Sequence, residues 1–96
     1  MGTTWKAVER KLARLFGVER EGCTGEAGPD FVSASYSVEV KHRKQLPQWI
    51  KGALEQAEVN CKDGTMPLVI LHERYQGYED SLVLCRLREF RDWFGE

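Results

Sequence analysis

The sequence predicts an α/β protein in which a central mixed five-stranded sheet is flanked by helices, and three observations carry that expectation. Apolar residues recur at helical spacing in the stretches from Thr4, from Leu46 and from Leu87. Between them lie short alternating or continuously apolar runs of strand length. The resulting order is helix, strand, strand, strand, helix, strand, strand, short helix, which suits a sheet with helices packed on it. The chain has 96 residues, enough for one core, so residues 1–96 read as a single domain.

The first helix is expected from about Thr4 to Phe16, with Thr3 or Thr4 as its N-cap and Gly17 as its stop. Trp5, Val8, Leu12, Leu15 and Phe16 form its core face. At about 100° per residue, Glu9 falls only about 20° beyond the edge set by Phe16 and so borders that face. Val18 to about Cys23 reads as a polar edge strand, and Gly22, Gly25, Gly28 and Pro29 mark a loop. Phe31–Ala34 and Tyr36–His42 are too close together for a helical crossover and are expected as a hairpin. Tyr36, Val38 and Val40 then face the core, while Ser37, Glu39 and Lys41 share the opposite face. Leu46 to about Lys62 reads as a helix with Pro47 in its first turn and Gly64 beyond its end. Its buried face is Trp49, Ile50, Ala53, Leu54, Ala57 and Cys61, with Gln56 about 20° outside the edge at Trp49. Pro67–His72, the most apolar run, is expected as a central, fully buried strand. A turn at Tyr75–Tyr78, a strand over Ser81–Arg86 and a closing helix through Leu87, Phe90, Trp93 and Phe94 complete the order.

Composition removes several classes. Hydrophobic residues make up 42% and charged residues 30% of the chain, ordinary for a globular protein and unlike a disordered or fibrous one. No apolar run is long enough to span a bilayer and no signal-peptide pattern opens the chain, so a cytoplasmic protein without membrane contact is expected. Cys23, Cys61 and Cys85 are widely spaced, with no CxxC pair and only 2 histidines, which argues against a disulfide framework and a zinc site. Net charge is −1 and names no partner. Locally, Lys41-His42-Arg43-Lys44 and the set Lys6, Arg10, Lys11 and Arg14 suit either phosphate contact or a solvated surface.

The chemistry concentrates at the hairpin. Asp30 opens one strand, and Glu39 and Lys41 project from one face of the next. Mg²⁺ prefers oxygen ligands and is commonly held by one or two carboxylates, which Asp30 and Glu39 provide, with the Val40 carbonyl as a third donor. Phosphodiester hydrolysis needs an activated water and charge relief for the transferring phosphate, both within reach of such a cation. Lys41, beside two carboxylates that favour its charged form, suits an electrostatic role better than that of a general base. Alternating Glu-Val-Lys also fits an ordinary solvent-facing strand.

Pro29-Asp30, a short hairpin and then Glu39-Val40-Lys41 resemble the motif of the PD-(D/E)XK nuclease superfamily, whose restriction-endonuclease-like core the element order also resembles. Within it the chain is most similar to the small archaeal-type Holliday junction resolvases, some of them phage-borne, with Glu9-Arg10 matching the glutamate and arginine of their first helix. The resemblance covers nearly the whole chain. It implies Asp30 and Glu39 as metal ligands and Lys41 as the catalytic lysine. Glu9 would complete the acidic site or touch water held by the metal, and Gln56 matches the glutamine that many members carry on the helix after the Glu-x-Lys strand. It further implies Mg²⁺, with Mn²⁺ as substitute, a four-way DNA junction as substrate, and a homodimer that supplies two active sites. A phage-encoded member would act in its host's cytoplasm. DNA would be held through phosphates by Arg10, Arg14, Lys41, Arg43 and Lys44, with His42 and Thr24 nearby. The family is usually basic, and this chain departs from it by being nearly neutral. Another branched, nicked or modified DNA substrate, or a silent DNA-binding module, remains the alternative. Trp5, Trp49 and Trp93 fall at core spacing and are expected as packing residues rather than stacking platforms.

Overall fold

The computed structural model describes residues 4–18 and 28–95. The chain forms two compact units, Met1–Lys44 and Gln45–Gly95.

In the first unit, α1 spans Trp5–Leu15. Thr4, in extended conformation, caps it by accepting the Ala7 N–H at 3.2 Å, which satisfies one of the helix's unpaired first-turn donors. The helix ends in a Schellman turn, with Gly17 N–H donating to Arg14 O and Val18 N–H to Ala13 O, both at 2.9 Å. That turn needs a left-handed residue, and Gly17 supplies it at φ 75°.

Two short strands follow, β1 (Phe31–Val32) and β2 (Ser37–Val38), paired antiparallel with Phe31 opposite Val38. Ser33 closes the turn: its N–H donates to Tyr36 O at 2.8 Å and its hydroxyl accepts Tyr36 N–H at 3.1 Å. The small core of this unit is aromatic. Phe16 packs against Phe31 at 5.3 Å and Tyr36 at 6.0 Å between ring centroids, and Ala13 and Phe31 are buried. The buried line of α1 runs through Glu9 and Ala13, so the helix is rotated from the expected face towards Glu9. Leu15 is exposed on the far side of that line, and Trp5, in the first turn, is exposed as well.

The second unit opens with α2 (Gln48–Val59), which Pro47 precedes with a φ of −54° already suited to a helix start. Leu54 is its buried anchor. The strands β3 (Val69–Leu71) and β4 (Leu82–Leu84) pair antiparallel, with Ile70 opposite Val83, and β3 packs against α2. A turn containing a short 3-10 segment, Tyr78–Asp80, joins them. Last comes α3 (Leu87–Phe94), with the rings of Phe90 and Phe94 in tilted contact at 5.6 Å between centroids. Arg86, the N-cap of α3, makes a two-pronged bond to Glu58 of α2 at 2.8 and 3.0 Å, with Arg88 3.7 Å away.

The five-stranded mixed sheet is therefore overturned. Among the described residues there are three helices and two separate two-stranded antiparallel sheets, not the restriction-endonuclease-like core. The first hairpin closes over residues 33–36 and the second over residues 72–81, and among the described residues each strand pairs only with its own hairpin partner, local closures that cost less chain entropy than pairing across the chain. Strands of two or three residues also offer little ladder for a third strand to join. The expected first strand falls almost wholly outside the described residues, and Val18, at its start, is not in a strand. The Pro67–His72 run is not a buried central strand: Leu68 and Ile70 are exposed because helix packing covers one face of a two-stranded sheet. Nor are the tryptophans core residues, being 55% (Trp5), 64% (Trp49) and 51% (Trp93) exposed.

Candidate active site

The hairpin of the first unit builds the site by continuing beyond its paired residues. Asp30 N–H donates to Val38 O at 2.8 Å, and the Asp30 carboxylate accepts the Val40 N–H through Oδ2. Its backbone thus bonds one neighbour of Glu39 and its side chain the other. Asp30 and Glu39 are held across from each other by this bracket, which leaves Asp30 Oδ1 to accept a further donor or a cation. Burial alternates along the strand as expected, with Tyr36, Val38 and Val40 half-buried and Ser37, Glu39 and Lys41 exposed. The shared face of Glu39 and Lys41 is shown directly by their ion pair, Lys41 Nζ to Glu39 Oε1 at 3.2 Å.

Helix α1 supplies the other wall. Glu9 is the one charged residue buried among the described residues, at 3% exposure. A carboxylate is rarely that deep without hydrogen-bonding partners, and among the described residues no buried side-chain polar atom lacks one. Glu9 lines a cleft of about 370 Å³ together with Trp5, Asp30, Glu39, Val40, Lys41, His42 and Arg43. Helix α1 and the two arms of the hairpin thereby bring three acidic side chains, one lysine, one histidine and one arginine to a single concave surface. Arg43 is steadied by a bond from its Nη1 to His42 O at 3.0 Å.

The other expected site residues are placed differently. Arg10 and Arg14 are exposed on α1, and Lys44 is exposed beyond the hairpin. Gln56 is exposed on α2 in the second unit, whereas the cleft is lined wholly by the first. Thr24 lies outside the described residues. Trp5 is the cleft residue that the sequence pattern assigned to the core. Its position in the first turn of α1, where a helix has least to pack against, was the available signal. Charge also divides along the chain: residues 1–44 carry eight Lys and Arg against six Asp and Glu, and residues 45–95 six against eight.

The donor set suits a hard divalent ion. All its ligating atoms are oxygens, and Mg²⁺ needs only one or two carboxylates, taking waters for the rest. Among the described residues no group of three His, Cys, Asp or Glu side chains converges into a metal-binding cluster, so the fit is to a site of two carboxylates with Val40 O. No family model, curated protein or solved structure matches the chain. Among the described residues no helix is long and apolar enough to cross a membrane.

Proposed function

We propose that the chain is a metal-dependent endodeoxyribonuclease whose active site is the cleft of Glu9, Asp30, Glu39 and Lys41. The observation that supports this reading is one cleft lined by the buried Glu9, the Asp30–Glu39 bracket and Lys41. Asp30 and Glu39, with the Val40 carbonyl, would hold Mg²⁺ or Mn²⁺, which when bound supplies a more acidic water and charge relief at the phosphate. Lys41 places a positive charge against the transferring phosphate and orients the attacking water by donating to it. The Val40 N–H keeps the Asp30 carboxylate turned towards Glu39, and His42 and Arg43 meet the neighbouring phosphates. The resemblance of Pro29-Asp30 and Glu39-Val40-Lys41 to the junction resolvases narrows the substrate to four-way DNA junctions, cut in pairs by a homodimer.

A synthetic four-way junction with Mg²⁺ tests both levels. Paired cuts near the branch are expected, equal digestion of linear duplex would remove the junction selectivity, and Glu39→Gln or Asp30→Asn should lower the rate by at least about a hundredfold. Full activity in Glu39→Gln would falsify the metal site. A second reading, a silent DNA-binding module, is favoured by the direct Glu39–Lys41 pair and by the lack of a three-ligand cluster among the described residues. It predicts junction binding with no calorimetric signal for Mg²⁺ or Mn²⁺.

A further inference from the structure

Trp5 stands out among the cleft residues because an indole neither ligates a hard metal ion nor transfers a proton, and offers instead a broad π face and one N–H donor. It is 55% exposed on the first turn of α1 and lines the cleft with Asp30, Glu39, Lys41 and Arg43. Lys6 lies over its ring, with the ammonium 5.7 Å from the centroid. An exposed indole with a lysine over one face and further cations lining the same cleft is a combination by which proteins hold single-stranded nucleic acid, the open face of the ring stacking on a base while the cations follow the backbone. A protein–protein hot spot would instead surround the ring with an apolar patch, whereas here the surroundings are charged.

We propose that Trp5 is a stacking platform for an unpaired nucleobase, so that the cleft selects DNA in which a nucleotide beside the cleaved phosphate is melted or single-stranded. This rests on the nuclease reading and names the feature of the substrate that its site recognises. In an intact duplex both faces of an internal base are taken by its neighbours. A base released at a branch point or in a single strand offers a free face, and Lys6 is near enough to the ring to move onto the adjoining phosphate.

Fluorescence reads the contact without altering Trp5. The chain has 3 tryptophans, so the double variant Trp49→Phe/Trp93→Phe leaves Trp5 as the reporter. Titration with a short oligothymidylate in EDTA should quench it, while a blunt duplex at equal phosphate concentration should not. Trp5→Leu should weaken oligothymidylate binding about ten- to a hundredfold and Trp5→Phe much less, because phenylalanine keeps a π face. Absence of quenching, equal quenching by duplex, or unchanged affinity in a folded Trp5→Leu protein overturns the proposal. Should Trp5→Leu misfold by circular dichroism, the titration and the Trp5→Phe comparison still decide. The two readings fail separately. Cleavage of branched DNA with Mg²⁺ but no Trp5 quenching removes the platform and keeps the nuclease. Quenching and a Trp5→Leu defect with no cleavage in Mg²⁺ or Mn²⁺ keep the platform and remove the nuclease.

Discussion

Lys41 and Glu39 form an ion pair in which both side chains are more than half exposed, a setting in which such pairs contribute about 0–1 kcal/mol. Their pairing therefore adds little to stability, so loss of Lys41 separates folding from the proposed activity. Lys41→Met is expected to leave the thermal midpoint nearly unchanged while lowering cleavage by about a hundredfold or more, and Lys41→Arg to retain an intermediate rate. Parallel melting curves and single-turnover rates check this, and a Lys41→Met protein that cuts normally would exclude the electrostatic role. At this scale the sequence was informative where alternation governs. Residues two apart on a strand share a face whatever else packs nearby, so Glu39 and Lys41 were legible together. The depth of Glu9 and the exposure of Trp5 were not, since a helix's rotation about its axis depends on what lies against it.

Among the elements, α2 and α3 of the second unit are joined by the bond between Glu58 and Arg86. The Arg86 guanidinium bonded to Glu58 holds its carboxyl below the usual carboxylate range, against a smaller opposing effect of burial. A carboxyl with a lowered folded-state value stabilises fully above its unfolded value, and that stabilisation is lost as pH falls through the folded value. Glu58→Gln should therefore melt below the wild type at neutral pH, and the gap should narrow as pH falls through the carboxylate range. A gap that is constant across that range would show the contribution not to be electrostatic. Residues 28 apart in sequence make this bond, and no periodicity announces it. By contrast α1 was readable in nearly its full extent, because Thr4 and Gly17 act within one turn of its ends.

For the whole molecule, charge decides how DNA could be held. The net charge of −1 gives no general attraction, so binding must rest on local cations, and Arg10, Arg14, Lys41, Arg43 and Lys44 all belong to the first unit. If these five each neutralise a phosphate, the logarithm of the duplex association constant should fall against that of salt concentration with a slope of about −4 to −5 per protomer engaged. Lys44→Ala should reduce its magnitude by about one. Anisotropy titrations over a salt series measure it, and a slope near zero would remove phosphate contact as the basis of binding. Paired cutting adds a requirement of its own, a solution mass twice the 11.0 kDa of the chain, readable by sedimentation.

The positions of α1, α2, α3 and the first hairpin follow from turn residues and apolar spacing, with a cap at α1, and the shared face of Glu39 and Lys41 from strand alternation. These are local forces, complete within a few residues, whereas the pairing of β3 with β4 as a second hairpin was not read from the sequence. The number of strands in a sheet is not local. It depends on whether distant strands gain more by pairing than their connection costs, and here each hairpin is satisfied by its own partner. Likewise the sequence put Asp30, Glu39 and Lys41 in one neighbourhood. Tertiary structure decided that Glu9 is buried while Trp5, one turn earlier on the same side of α1, stays exposed, and that both line one cleft.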